Sequence, residues 1–216
     1  MMESIIWDWN GTLLNDLELC ISTINKMLKN RDLPILTSNS YKEAFSFPVE
    51  NYYRTIGFNF DKEDFSVPAG EFIEMYHNNI NECKLHSNAR KILDCFRERG
   101  KRQFILSAMK HTMLVKTLKE KEIYDFFEAV SGLNDHYAVS KIEKGIQLIR
   151  DHNIDKKRAY IIGDTDHDFE VAKALEVNCI LVADGHQSEK RLRETGAQVV
   201  GNLVNLMDPG LFCSRN

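Results

Sequence analysis

Residues 4–14 read SIIWDWNGTLL and set one carboxylate, Asp8, between two tryptophans at the end of an apolar run. A buried acid is costly unless something positive offsets its lost hydration. Behind it, Gly11 lets the backbone turn away and Thr12 offers a hydroxyl. Ser107 follows the apolar run Phe104–Leu106, Asp164 follows Ala159–Ile162 and Gly163, and Asp168 stands four residues further on. Lys141, in SKIEKG, falls in the first turn of an expected helix. The helix dipole disfavours a cation there by up to about 1 kcal/mol, so the position suits a lysine held to face an anion. Each residue also has an ordinary structural role to fill. An Asp or Ser after a strand is often a turn or cap residue, and Asp168 and Ser107 both read that way when taken alone.

The elements that would position these groups follow from the apolar pattern. Ser4–Trp9, Phe104–Leu106, Ala129–Val130, Ala159–Ile162, Cys179–Val182 and Val199–Val200 read as buried parallel strands. Between them, helices are expected around Ala89, Ile92, Leu93 and Phe96 with Gly100 as the stop, and around Leu114, Val115 and Leu118. Another should follow the capping-box pattern Ser140–Glu143 with Ile146 and Ile149 on its buried face, and a fourth carries Val171, Ala172 and Leu175. Alternation from about residue 87 onward predicts an α/β fold with a parallel sheet and helices on both faces. Ligands of such sheets bind outside the carboxyl ends of the strands, where Asp8, Ser107 and Asp164 would converge. Residues 16–85 lack a convincing strand and hold Pro34, Pro48 and Pro68. So long a loop is implausible in a compact domain, and the segment reads as a helical subdomain inserted after the first strand.

Composition narrows the function classes. The chain has 216 residues, 43% hydrophobic and 28% charged, with net charge -4. That balance fits a globular protein and disfavours a nucleic-acid surface. Cys20, Cys83, Cys95, Cys179 and Cys213 are odd in number and widely spaced, which argues against a zinc site or a disulfide framework and fits a reducing, cytoplasmic setting. Neither a signal-peptide pattern nor a membrane-length apolar run is expected.

WDWNGTLLND, ILSA, SKIEKG and IIGDTDHD, in that order, resemble the four motifs of the haloacid dehalogenase superfamily. The phosphatase-like members with a helical cap inserted after the first motif are the nearest pattern, and GDTDHD with the following FEVAKALEVNCILVADG is similar to phosphoglycolate-phosphatase-like relatives. The resemblance implies a Rossmann-like core over residues 1–15 and 86–216 and a cap over 16–85. It also implies an aspartyl-phosphate on Asp8, and Mg²⁺ held by Asp8, the backbone carbonyl of Asn10 and Asp164, with Asp168 binding directly or through water. An all-oxygen set of this kind is what Mg²⁺ prefers. Thr12 and Ser107 would bond phosphoryl oxygens, Gly11 and Ala108 would line the phosphate, and Lys141 would neutralise it, with Lys144 as the alternative lysine because the family's usual following proline is absent. A small phosphorylated metabolite is the implied partner, with no nucleic acid or membrane, and the protein would be a monomer or homodimer.

One position departs from the pattern. The family's phosphatases carry Asp where this chain has Asn10; that Asp protonates the leaving group and then activates the water that hydrolyses the aspartyl-phosphate, and an amide can do neither. General acid–base catalysis contributes about 10²–10⁴-fold, or roughly 3–5 kcal/mol of barrier. Three readings follow. The protein is a phosphatase whose substrate has a good leaving group, such as an acyl phosphate, or whose proton comes from elsewhere, with His111, His136 and His186 as candidates. Alternatively, it runs another reaction of the superfamily, such as phosphonate cleavage with a cap lysine among Lys26, Lys29 and Lys42. In the third reading it binds a phosphate ligand without turnover. The aromatic residues Tyr41, Phe45, Phe47, Tyr52, Tyr53, Phe58, Phe60 and Phe65 are expected to form the cap's own small core.

Overall fold

A computed structural model describes residues 3–133 and 141–212; Ser140 of the expected capping box and the candidate His136 lie outside the described residues. In chain order the elements are β1 Ser4–Trp7, β2 Leu14–Asn15, α1 Leu17–Lys29, α2 Ser38–Ala44, α3 Val49–Thr55, α4 Ser66–Asn79, β3 Lys84–Leu85, α5 Ala89–Glu98, β4 Arg102–Lys110 and α6 His111–Glu120. They continue with β5 Ala129–Leu133, α7 Lys141–Asp151, β6 Ala159–Gly163, α8 Asp166–Leu175, β7 Asn178–Val182, α9 Glu189–Glu194 and β8 Gln198–Val200.

Six strands form one parallel sheet in the order β5-β4-β1-β6-β7-β8. The pleat sends alternate residues to opposite faces, and the two faces bury different cores. Ile6, in register with Phe104 and Ile161, packs with Val171, Ala172 and Leu175 on one side. Ile5 and Trp7 face the other side with Ile105, Ile162 and the helix residues Ile92, Leu93 and Phe96. A fully buried side chain such as Ile6 contributes about 1.5–3 kcal/mol relative to leaving it in water.

Three expectations need correction. The first strand ends at Trp7, not Trp9, because Gly11 has φ +74° and the chain turns back, with Leu13 and Leu14 amides both donating to the Trp9 carbonyl. The second runs past Leu106 to Lys110 with a register irregularity on the way, so Ser107 and Ala108 lie within β4 rather than beyond it. On α7 the buried positions are Lys141, Gly145, Leu148 and Ile149, while Ile146 is 52% exposed. Gly145 takes the inward position because the helix approaches α8 closely there: a Cβ would lie 2.5 Å from Leu175 Cδ1.

Between β2 and β3 the chain is helical, but these two short strands pair with each other, Leu14 with Leu85 and Asn15 with Lys84. A two-stranded ribbon thus joins the helical segment to the sheet at both ends. Its helices pack as α1 against α4, and its rings form a chain of contacts, Tyr41 stacked on Phe45, Phe45 and Tyr53 each edge-on to Tyr52, and Tyr53 stacked on Phe58. The aromatic cluster is not closed off, because it continues into the same apolar core that holds Trp7 and Trp9. The end of α2 is also tied to the far side of the sheet. Arg191 donates to the carbonyls of Lys42, Glu43 and Phe45 and to Asp166 Oδ2, Gln187 Nε2 donates to the Phe45 carbonyl, and Phe47 stacks on His167 with centroids 4.7 Å apart. Among the described residues no helix is long and apolar enough to cross a membrane.

Candidate active site

Asp8 is the first residue beyond β1, and its amide donates to the Ile162 carbonyl of β6 at 2.8 Å. That bond sets it beside Asp164, which follows the last residue of β6. Gly11 closes over them: with φ +74°, a Cβ there would meet Asp164 Oδ2 at 2.3 Å and His186 Cδ2 at 2.4 Å. Only glycine fits such a turn without strain. Thr12 Oγ1 donates to Asp164 Oδ1 at 2.8 Å and the His186 amide donates to Asp164 Oδ2 at 2.7 Å, fixing both oxygens of that carboxylate.

Asp168 fills both roles open to it. At the third position of α8 its Oδ2 accepts from the Thr165 amide and hydroxyl, completing a reciprocal cap. Its Oδ1 accepts from Lys141 Nζ at 2.6 Å. The same ammonium donates to Asp8 Oδ1 at 2.5 Å. Lys141 rather than Lys144 therefore meets the nucleophile candidate, and it is 6% exposed although it opens a helix. Oxygens of Asp8, Asp164 and Asp168 all lie within 4.8 Å of one another.

Three buried carboxylates share one lysine, and the titration of each reflects that imbalance. Burial raises Asp8 to about 8; Lys141 opposes the rise, and Asp168 and Asp164 add to it. Burial also raises Asp164 to about 6, against the pull of His186. Asp168 is buried too, but Lys141 and its hydrogen bonds hold it below the ordinary carboxylate range. Burial works against the Lys141 ammonium, yet Asp168 and Asp8 together raise it above its ordinary value. A divalent cation would relieve the surplus negative charge on an all-oxygen donor set, which is the chemistry Mg²⁺ fits.

Ser107 is buried on β4, two residues beyond the Ile105–Trp7 pair, and its Oγ accepts from the Met109 amide at 3.1 Å. Ala108 is exposed beside it. Neither is bonded to the carboxylates among the described residues. His111 is the first residue of α6 and likewise has no described bond to them.

A second network adjoins the first, and several of its members were not legible as site residues in the sequence. Asp16 is 1% exposed and accepts from the Gly11 amide, Asn10 Nδ2, Tyr76 Oη and His186 Nε2. Burial would raise this acid, but His186 and the bonds from Tyr76 and Asn10 bring it down to about 2. His186, expected as a loop histidine, is buried; burial lowers it, but Asp16 lifts it to about 9. Its Nδ1 lies 3.1 Å from Tyr41 Oη. Asp16, Cys20 and His186 also have ligand atoms within 4.8 Å of one another. Hydrogen bonds already occupy Asp16 and His186, and burial pushes the Cys20 thiol up, so the group reads as a hydrogen-bond network rather than a metal centre. Asn10, Gly11 and His186 are candidates from the sequence alone and Asp16 closes the run WDWNGTLLND, whereas nothing in the sequence points to Tyr76, Tyr41 or Cys20 as site residues.

A model of the haloacid dehalogenase-like hydrolase family matches residues 5–182. No curated protein matches the chain. Among solved structures, the chain is similar to a protein titled a predicted phosphatase from Clostridium acetobutylicum, with TM-score 0.82 and 18% identity over 98% of this chain and 99% of that one. It is also similar to a predicted phosphoglycolate phosphatase from Haemophilus somnus, with TM-score 0.76 and 16% identity over 95% and 96% of the two chains. CbbY from Rhodobacter sphaeroides, solved in complex with phosphate, gives TM-score 0.73 and 14% identity over 98% and 99%. At these identities the likeness concerns the fold.

Proposed function

Since the chain belongs to the haloacid dehalogenase-like hydrolase family, we propose that it is a Mg²⁺-dependent phosphatase acting on a small phosphorylated metabolite through an aspartyl-phosphate on Asp8. The observation that carries this reading is Lys141 held between Asp8 and Asp168 in a buried three-carboxylate cluster that carries more negative charge than its lysine can balance. The phosphatase titles of the structural neighbours support it.

Asp8, Asp164, Asp168 and the Asn10 carbonyl would hold Mg²⁺. When bound, the ion neutralises charge on the transferring phosphoryl group. Lys141 aims Asp8 and opposes the rise that burial imposes on it, and a bound cation would complete the ionisation that a carboxylate nucleophile requires beside an anionic substrate. Gly11 and Gly185 let the backbone close on Asp164, and Thr12 keeps that carboxylate in one orientation. Residues 16–85 act as a cap over the core of 1–15 and 86–216, excluding water and selecting the metabolite. Free thiols at Cys20, Cys83, Cys95 and Cys179 support a reducing compartment such as the cytoplasm.

The test is phosphate release from acetyl phosphate and an activated aryl phosphate, with Mg²⁺ and with chelator. Release that requires Mg²⁺ and disappears in Asp8→Asn supports the reading; silence toward every donor defeats it. A second reading, a phosphate-binding module without turnover, draws on Asn10 alone and would show as saturable phosphate binding in a protein that releases nothing.

A further inference from the structure

Asn10 stands two residues beyond Asp8, and its amide nitrogen is turned to a pair of oxygens. Nδ2 donates to Asp16 Oδ2 at 2.9 Å and to Tyr76 Oη at 2.6 Å. Chemistry fixes that orientation. Tyr76 gives its own proton to Asp16 Oδ2 at 2.5 Å, so its oxygen is left to accept, and a carboxylate that also receives the Gly11 amide has none to give. What Asn10 has left is a carbonyl oxygen, which can accept a hydrogen bond but cannot donate one.

Its neighbours do no better. His186 has Nε2 on Asp16 and Nδ1 on Tyr41, each at 3.1 Å. Thr12 directs its hydroxyl hydrogen to Asp164. Lys141 is pinned between two carboxylates that keep its charge on nitrogen. Among the described residues, Asp16, Thr12 and both ring nitrogens of His186 are bonded within this cluster and direct no proton at a departing oxygen, while Lys141 keeps a third N–H but is held as an ammonium by two carboxylates.

We infer that the site takes phosphoryl donors whose leaving oxygen departs as a stable anion, a carboxylate or a phosphate, in preference to alkyl phosphate esters. The inference rests on the phosphatase reading. In the first step Asp8 forms a new O–P bond, the bond to the leaving oxygen breaks, and the electron pair leaves with a carboxylate or phosphate that needs no proton. In the second, water forms the new O–P bond, the Asp8–phosphorus bond breaks, and both hydrogens of the water end on the released phosphate. The first step calls on no acid that the cluster lacks, and the second is common to every donor, so the loss of a base for the water does not alter the ranking of donors by kcat/KM. An alkoxide leaving group would lose the protonation worth about 10²–10⁴-fold.

The experiment is a leaving-group series on the full chain with Mg²⁺: acetyl phosphate, pyrophosphate, 4-nitrophenyl phosphate, phenyl phosphate and glycerol 3-phosphate, read as kcat/KM. The expected result is a fall of about 100-fold or more from the best anionic leaving group to glycerol 3-phosphate, with the aryl esters ordered between them by leaving-group basicity. Preference for acetyl phosphate alone, or for pyrophosphate alone, upholds the inference and names the source. Glycerol 3-phosphate turned over within about tenfold of the best donor overturns it while the phosphatase reading stands. Silence toward all five overturns the phosphatase reading, and this inference falls with it.

Discussion

Asp8 and Asp16 flank the Gly11 turn and β2, and burial raises both acids, yet Asp8 ends at about 8 and Asp16 at about 2 because only at Asp16 do the neighbours overcome burial. Asp16 is paired with His186 and receives bonds from Tyr76 and Asn10, whereas Asp8 shares Lys141 with Asp168 and also faces Asp164. This contrast has a pH signature. His186 titrates at about 9 in the fold against an ordinary 6.5. Its contribution to stability is therefore full below 6.5 and is lost as pH rises through about 9. Asp16, depressed from 3.8 to about 2, contributes above 3.8 and loses that contribution as pH falls toward 2. Asp8, raised from 3.8 to about 8, favours the fold below 3.8 and progressively less up to 8. The expected outcome is a melting temperature in chelator that drops between pH 6.5 and 9, with a shallower drop in Mg²⁺, because the ion relieves Asp8 and not His186. Asn10→Asp would set a second carboxylate against Asp16. Thermal melts should show a loss of about 1–3 kcal/mol that grows with pH, and Asp16→Asn in the same chain should recover much of it. Asp8 and Lys141 were legible in the sequence because each broke a local rule, an acid in an apolar run and a cation at a helix start. The Asp16 network broke none. Its bonds to Tyr76 and His186 span 60 and 170 residues, distances at which neighbours cannot be read from spacing.

Strand ends and the glycines beside them set the precision of the carboxylate cluster. A Cβ on Gly185, just after β7, would lie 2.2 Å from Asp164 Oδ2, and that oxygen cannot swing away while the His186 amide and Thr12 hold its carboxylate. Gly185→Ala should therefore keep the far-UV circular dichroism of the parent but weaken Mg²⁺ binding by about 10–100-fold in a titration, the scale of other substitutions behind a metal site. The strands themselves were legible as apolar runs, although their limits were not. Local turn chemistry at Gly11 shortened β1, while pairing with β5 extended β4 past Ser107. The α7 face was misread because Gly145, not Ile146, meets α8; contact between two helices set that choice, and a hydrophobic count along one helix could not show it.

At the scale of the molecule, the helical segment is attached in two different ways. The β2–β3 ribbon joins it covalently, and Arg191 clamps its far end through three carbonyls at the end of α2 and through Asp166. Arg191→Ala should raise amide hydrogen exchange across Ser38–Phe47 while leaving β1, β4 and β6 protected, because the clamp serves the segment and not the sheet. The insertion was legible from its length and prolines, but the clamp was not, since it joins backbone oxygens nearly 150 residues away to a side chain that reads as an ordinary surface arginine. The position of the tryptophans has an optical consequence. The chain has two, both fully buried on either side of Asp8, Trp7 with its indole N–H on Gln103 and Trp9 with none of the described residues as partner. All of the indole emission of this protein thus originates one residue from the proposed nucleophile, Asp8. The phosphorylation of Asp8 proposed above, or a ligand settling against it, should be visible in the unlabelled protein as a change in fluorescence colour and lifetime, a built-in optical clock for the proposed first step.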